Sequence, residues 1–377
     1  MRDDVQVAKI RKIIALLTEQ QKDMVASTQS LSPSVYRDEP RLQQEIGRIF
    51  HGMPVILGRS AQLARPGDFC TTSLAGLPIL MTRNEGGISA FVNVCRHRGT
   101  QLVGEPCGNR QRFVCPYHAW TYDNSGRLLR IPDEVGFTGV DRAGRGLLSL
   151  ATSERHGFIW GRVRDGDPLD LASYLGALDA DLSSFGVEAL VAYQPRTFTV
   201  AMNWKLAIDI FLEAYHVRYT HRDSIYPIFF DNLALFDHIA PHQRNFFPKR
   251  TILNLAQEPP ATWQLRQHCN ILYHLFPNTF LLVQPDHVSV FHIQPDGINH
   301  SSIFSYTLIA EQPQDEKAVT HWQKNIDILY SALLEDFGMG ESIQRSASAG
   351  YRGDLVLGRF EQSLQRFHES VNRALEA

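Results

Sequence analysis

At 377 residues the chain is longer than a single hydrophobic core usually supports, so two domains are expected. A formal net charge of -3 gives no electrostatic footprint for nucleic acid or an anionic lipid surface. Hydrophobic residues make up 44% of the chain, ordinary for a globular protein, and no apolar run approaches the ~20 residues that cross a bilayer.

The chain starts Met1-Arg2-Asp3-Asp4, with acids where a secretory signal carries basic residues, and no small-residue cleavage site follows an apolar block; this predicts a cytoplasmic address. Val7, Ile10, Ile13, Ile14 and Leu17 repeat at helical spacing, and residues 40–50 read as a second short helix. Gly52 and Pro54 then mark a boundary. From 55 to 163 short β-rich runs alternate with turn clusters such as Pro66-Gly67-Asp68 and Asp123-Asn124-Ser125-Gly126, which predicts a small antiparallel β domain. Residues 132–146 read as a surface loop and 165–168 as an exit linker. Beyond them, residues 193–200, 278–283, 288–294 and 302–309 alternate like strands, and 315–348 has a helical pattern. Helices grouped against an antiparallel sheet define an α+β domain. The expected division is N-terminal helices over 1–50, the β domain over 51–165 and the larger α+β domain over 166–377.

Inside the β domain stand Cys95-Arg96-His97-Arg98-Gly99 and Cys115-Pro116-Tyr117-His118-Ala119-Trp120. Each pair offers one thiolate and one imidazole. A Rieske [2Fe-2S] cluster needs two Cys on one iron and two His on the other, so two loops closing on each other satisfy both irons. A Cys2His2 zinc site is the alternative, but zinc modules usually group Cys with Cys and His with His. Of the other cysteines, Cys70, Cys107 and Cys269 have no partner spacing and read as buried free thiols. At this point the sequence resembles the Rieske non-haem iron oxygenases, whose Cys-x-His and Cys-x-x-His pattern is matched in full. Some Rieske proteins carry a disulfide in the inter-ligand loop. Cys107 lies in that loop and no second loop cysteine accompanies it.

A second stretch, residues 203–221, reads as a helix on which Glu213 and His216 share a face at i and i+3. His221 follows five residues later, ~140° away on an ideal helix, so the helix has to end or distort before both imidazoles can reach one ion. A surface pair or two core histidines would give the same spacing. Beside a Rieske cluster the expected partner is a mononuclear Fe(II) held by two His and one carboxylate. On the late helix, Val319, Trp322, Ile326, Leu329, Leu333 and Phe337 form one apolar stripe; Asp336 falls roughly 60° from its centre and Glu335 roughly 160°. Asp336 is therefore expected to point inward and Glu335 outward. Asp336 as a boundary residue with a donor is the bland reading, and Glu341 and Asp327 are weaker candidates.

The resemblance extends to this region. Relatives have an acidic residue three before the first iron His, a second His five after it, and an Asp on a late helix; His216, His221 and Asp336 match. The resemblance implies an iron-dependent terminal oxygenase that inserts oxygen from O2 into a small organic substrate. It also implies a separate reductase that oxidises NAD(P)H, with or without a ferredoxin, and a head-to-tail homotrimer. His97 or His118 of one subunit then meets the next subunit's acidic residue, which bridges electrons to the iron. That residue is usually Asp in the family and is Glu213 here, as in the branch acting on trimethylammonium compounds such as carnitine and glycine betaine.

Asn203 reads as a neighbour of the iron or as a helix N-cap. Phe211, Phe229 and Phe230 line an apolar pocket or belong to the core, and aromatic residues suit hydrophobic substrates and quaternary ammonium ions alike. The resulting expectation is an oxygenase of aromatic hydrocarbon catabolism, mono- or dioxygenase. The alternatives are a quaternary ammonium monooxygenase or demethylase and, from another class, an electron-transfer Rieske protein with no second metal.

Overall fold

The computed structural model describes residues 3–163 and 168–376. Met1, Arg2 and residues 165–167 of the expected linker lie outside them. The chain divides into two units, Ile46–Tyr174 and a larger one formed by Met1–Glu45 with Leu175–Ala377. Among the described residues no helix is long and apolar enough to cross a membrane.

The larger unit begins with α1 (Asp3–Thr18), which buries Ile10 and Ile13. Strand β1 (Gln29–Leu31) follows, then α2 (Glu39–Glu45); the smaller unit opens with a π-helical stretch, Ile46–Phe50.

The smaller unit then supplies β2 (Val55–Arg59), β3 (Asp68–Leu74), β4 (Leu77–Asn84), β5 (Gly87–Val92), β6 (Cys107–Asn109), β7 (Arg112–Val114), β8 (Thr121–Asp123), β9 (Leu128–Arg130), β10 (Ala151–Arg155) and β11 (Phe158–Arg162). They form three antiparallel sheets ordered β10-β11-β2, β5-β4-β3-β6 and β7-β8-β9. Turn chemistry sets the hairpins: Ala75 and Gly76 take positive φ between β3 and β4, and the Asp123 carboxylate accepts the Ser125 and Arg127 N–H groups in the β8–β9 turn. Phe69, Leu80, Phe91, Phe113, Trp120 and Tyr122 form a core that also holds Cys95 and Cys115. Cys107 is exposed, not buried as expected, because β6 is an edge strand whose residues all face solvent.

After the short helices α3 (Leu171–Leu175) and α4 (Ala177–Ser184), the larger unit resumes with β12 (Val191–Val200), α5 (Trp204–Asp209), α6 (Val217–Thr220), β13 (Leu235–Ile239), β14 (His242–Pro248), α7 (Leu265–His268), β15 (Cys269–Leu275), β16 (Thr279–Val283), β17 (Val288–Pro295) and β18 (Ser301–Ile309). The long helix α8 (Glu316–Ser348), β19 (Leu355–Leu357) and α9 (Gln362–Glu376) complete it. The strands make one seven-stranded antiparallel sheet ordered β12-β18-β17-β16-β15-β14-β13, and β19 pairs with β1. Helix α8 is capped by the Asp315 carboxylate on the Ala318 N–H at 2.7 Å, and its apolar stripe buries Ile326, Tyr330, Leu333 and Phe337.

The helix expected over 203–221 is interrupted. Helix α5 stops at Asp209, and the chain runs through bends to α6. The Glu213 carboxylate accepts the backbone N–H groups of Tyr215 and His216, an alternative to helical bonding that acidic and amide side chains offer the backbone.

Candidate iron centres

The two Cys/His loops share one backbone design. In the first, the Cys95 N–H donates to the Thr100 carbonyl at 2.8 Å and the Gly99 N–H to the Cys95 carbonyl at 3.0 Å. In the second, Cys115 N–H donates to Trp120 at 2.8 Å and Ala119 N–H to Cys115 at 3.0 Å. The fourth residue after each cysteine, Gly99 or Ala119, takes the left-handed conformation that closes the turn.

These turns bring the ligand atoms together. Cys95 and Cys115 share one buried cluster, and the His97 and His118 rings lie 4.6 Å apart between centroids. Trp120 stacks on His97 at 5.0 Å with an interplanar angle of 7°. His118 Nδ1 is buried with no hydrogen-bond partner, as a metal-ligating nitrogen requires. Burial, His118 and Arg98 hold His97 below the ordinary imidazole pKa, in the neutral form that binds iron. The Tyr122 hydroxyl accepts from Arg96 N–H at 3.0 Å and lies 3.4 Å from Cys95 Sγ; toward a cluster-bound thiolate, which has no proton, the hydroxyl is the donor. Burial and Cys95 push the Tyr122 phenol well up, so it keeps its proton. The residues present fit a [2Fe-2S] cluster.

In the larger unit His216, His221 and Asp336 offer three ligand atoms within 4.8 Å of one another. Asp336 Oδ1 is 3.0 Å from His221 Nε2 and 3.4 Å from His216 Nε2. The two histidines flank α6, and this interruption resolves the ~140° mismatch of an unbroken helix. Glu335 departs from expectation: its carboxylate accepts His221 Nδ1–H at 2.6 Å and the Ser224 hydroxyl at 2.8 Å instead of pointing outward. The hydrophobic stripe of α8 faces the core, and the iron site lies beside it, so both acids of the Glu335-Asp336 pair reach the site. Glu213 does for His216 what Glu335 does for His221, bonding Nδ1 and leaving Nε2 toward Asp336. Carboxylates on the outer nitrogens fix the ring tautomers and raise ligand basicity. Burial acts against the imidazolium of His216, yet Glu213 and Asp336 outweigh it and raise the pKa to about 9, a field suited to a cation. The donor set fits a mononuclear iron with open positions.

Asn203 is an N-cap. Its Oδ1 accepts Lys205 N–H at 3.1 Å, its Nδ2 donates to the Ile298 carbonyl at 3.0 Å, and its own N–H donates to Gln344 Oε1 on α8 at 2.9 Å. Phe211 stacks on Phe280 with centroids 4.7 Å apart and touches Phe291. Phe229 joins Tyr226, Phe236 and Phe247 against Ala214 and Val217, the neighbours of His216, whereas Phe230 lies under the Arg250 guanidinium. A further support escapes sequence reasoning. Glu45 is fully buried and accepts from Lys205 Nζ at 2.6 Å, Trp204 Nε1 at 2.8 Å and Arg41 Nε at 2.9 Å, which anchors the start of α5.

The fold and these two centres define an iron–sulfur oxidoreductase with a second, mononuclear metal. Family models agree: the Rieske [2Fe-2S] domain matches residues 53–141, and the catalytic domain of the ring-hydroxylating alpha subunit matches 187–377. The chain belongs to the ring-hydroxylating oxygenase alpha-subunit family. It is an enzyme, a Rieske-type oxygenase whose cofactors are a Rieske cluster and a mononuclear iron and whose co-substrate is O2.

Chlorobenzene dioxygenase subunit alpha of Cupriavidus sp. (strain PS12) is 29% identical over 328 residues, 76% of this chain and 72% of that one. The glycine betaine monooxygenase oxygenase subunit of Pseudomonas aeruginosa (strain UCBPP-PA14) is 34% identical over 198 residues, 52% of this chain and 46% of that one. Among solved structures, a quaternary ammonium Rieske monooxygenase aligns with TM-score 0.76 at 21% identity, over 93% of this chain and 96% of that one. Naphthalene 1,2-dioxygenase with bound indole aligns with TM-score 0.73 at 20% identity, over 92% of each. At these identities the structural likeness speaks for the fold alone.

Proposed function

We propose that this chain is the terminal oxygenase component of a multicomponent Rieske system, hydroxylating a small aromatic or otherwise hydrophobic substrate. The observation that carries the proposal is the His216, His221 and Asp336 cluster inside the segment matched by the catalytic-domain model. When bound, the [2Fe-2S] cluster supplies electrons singly and the iron offers open positions to O2. The chain's own residues orient and exclude. Glu213 and Glu335 hold protons on the Nδ1 atoms of His216 and His221 so that both Nε2 atoms face Asp336. Ala214, Val217 and the aromatic residues packed on them form an apolar wall against the ligand segment, which favours a hydrophobic substrate and keeps water away.

Electrons enter from a partner reductase that oxidises NAD(P)H, with or without a ferredoxin, and the working assembly is a head-to-tail homotrimer. In it Glu213 bridges His97 or His118 of the neighbouring subunit to His216; its hold on His216 Nδ1 supports half of that bridge. One residue favours a second substrate class. Glu at the bridging position points to trimethylammonium compounds, whose cations aromatic side chains can cage.

Iron and acid-labile sulfide per chain, with EPR of the dithionite-reduced protein, test the proposal. About three iron and two sulfide per chain are expected, with a Rieske-type signal. About two iron and two sulfide in an iron-replete sample would leave an electron carrier. Incorporation of label from 18O2 into monocyclic aromatics or into trimethylammonium compounds then separates the substrate classes.

A further inference from the structure

Two cysteines that the iron chemistry leaves unused face each other across the sheet of the smaller unit. Strand β6 pairs antiparallel with β3 so that Cys107 stands opposite Cys70, Gly108 opposite Phe69 and Asn109 opposite Asp68. The Thr71 N–H donates to the Pro106 carbonyl at 2.9 Å, and the Arg110 N–H to the Gly67 carbonyl at 2.8 Å. Hydrogen-bonded and non-hydrogen-bonded pairs alternate along an antiparallel ladder, and these two bonds make Cys70 and Cys107 a non-hydrogen-bonded pair. Side chains of such a pair lie on one face, on Cα atoms about 4.5 Å apart, within the span of a disulfide. The pair is asymmetric: Cys107 is exposed, while Cys70 is buried with its Sγ 3.8 Å from the Gln62 carbonyl. Burial first, then Cys107 and Asp68, hold the Cys70 thiol up at about 11.

We propose that Cys70 and Cys107 are a thiol–disulfide modification site, forming a reversible cross-strand bond with Cys107 as the entry thiol. The oxidant is a low-molecular-weight disulfide such as glutathione disulfide. The Cys107 thiolate attacks one sulfur of that disulfide, forming a mixed disulfide and releasing one thiol. Cys70 then loses its proton and attacks the Cys107 sulfur, releasing the second thiol. Two protein thiols are oxidised by two electrons, and one small disulfide becomes two thiols. Strand β6 lies in sequence between the two ligand loops, and Phe69, beside Cys70, packs edge to face on Phe113, two residues before Cys115. The bond fastens this edge strand to β3.

The holoenzyme incubated in glutathione disulfide and glutathione at graded ratios, acid-quenched, alkylated and digested without reduction tests this. A linked peptide containing Cys70 and Cys107 should rise to most of the chain as the ratio increases and vanish with dithiothreitol, with the Rieske EPR signal unchanged throughout. Cys70→Ala should trap Cys107 as its glutathione adduct. Cys107→Ser, a surface change, should leave Cys70 fully reduced. A stable glutathione adduct on wild-type Cys107 with no linked peptide would overturn the proposal, as would no reaction of Cys107 in either wild type or Cys70→Ala protein that retains the Rieske signal.

Discussion

In the cluster loops, Cys95 to Thr100 and Cys115 to Trp120 close on themselves through the same two backbone bonds, whereas His221 is oriented by Glu335, 114 residues away in sequence. The first site is held by local turns and is complete within short stretches of chain. The second is held by side chains: Glu213 and Glu335 turn the imidazoles, Gln344 ties Asn203 to α8, and Glu45 anchors Trp204 and Lys205. A site of the first kind should survive damage elsewhere. A site of the second kind should report every loosening of its supports.

The largest contrast comes from His216→Ala. Substrate-dependent O2 uptake should fall to background, with loss of the mononuclear iron and full retention of Rieske absorption. Glu45→Ala comes next, because it leaves the buried Lys205 ammonium without its counter-charge; removing one partner of a buried pair costs about 3–5 kcal/mol. Chemical denaturation should show the larger unit weakened and its iron lost, while the cluster signal persists. If the two iron sites fail together, the contrast between them is broken.

How much of this can be read from the sequence follows the same division. The Cys/His loops are legible because spacing, Gly99 and Pro116 lie within a few residues of the ligands. Residues 193–200 and 302–309 are legible as strands through their alternation, and α8 through its stripe and its Asp315 cap. Strand β14 escapes because its first four residues, His242, Gln243, Arg244 and Asn245, are polar yet buried, so neither an apolar run nor an alternation marks it. The end of α5 at Asp209, the turn of Glu335 toward His221 and the seating of Lys205 on Glu45 depend on contacts that no local pattern encodes. The facing of Cys70 and Cys107 depends on a strand register spanning 37 residues, and spacing alone gives no sign of it.

Smaller changes sharpen the comparison. Glu335→Gln keeps an acceptor for His221 Nδ1–H but removes the charge, and outer-shell changes of this kind cost about tenfold to a hundredfold in metal affinity. Chelator competition should show faster loss of the mononuclear iron, with the [2Fe-2S] content unmoved. Tyr122→Phe acts on the other centre. It removes a hydrogen bond to Cys95 that favours the reduced cluster, so the reduction potential should fall by about 40 mV, the one-electron equivalent of about 1 kcal/mol. Mononuclear iron affinity should not change.

The smallest effect tests whether the two loops really are equivalent. They make the same backbone bonds, but the left-handed position is Gly99 in one and Ala119 in the other, with φ of 78° and 55°. An L-residue in that conformation costs about 1 kcal/mol. Ala119→Gly should therefore stabilise the second loop by less than about 1 kcal/mol, since the added freedom of glycine in the unfolded chain offsets part of the gain. Gly99→Ala should destabilise the first loop by a similar amount through the dihedral alone, because no atom lies within 4 Å of the added Cβ. Thermal loss of Rieske absorbance should move by a few degrees in opposite directions for the two variants. Equal signs would mean that contacts outside the turns, and not the shared backbone bonds, decide how firmly each loop is held.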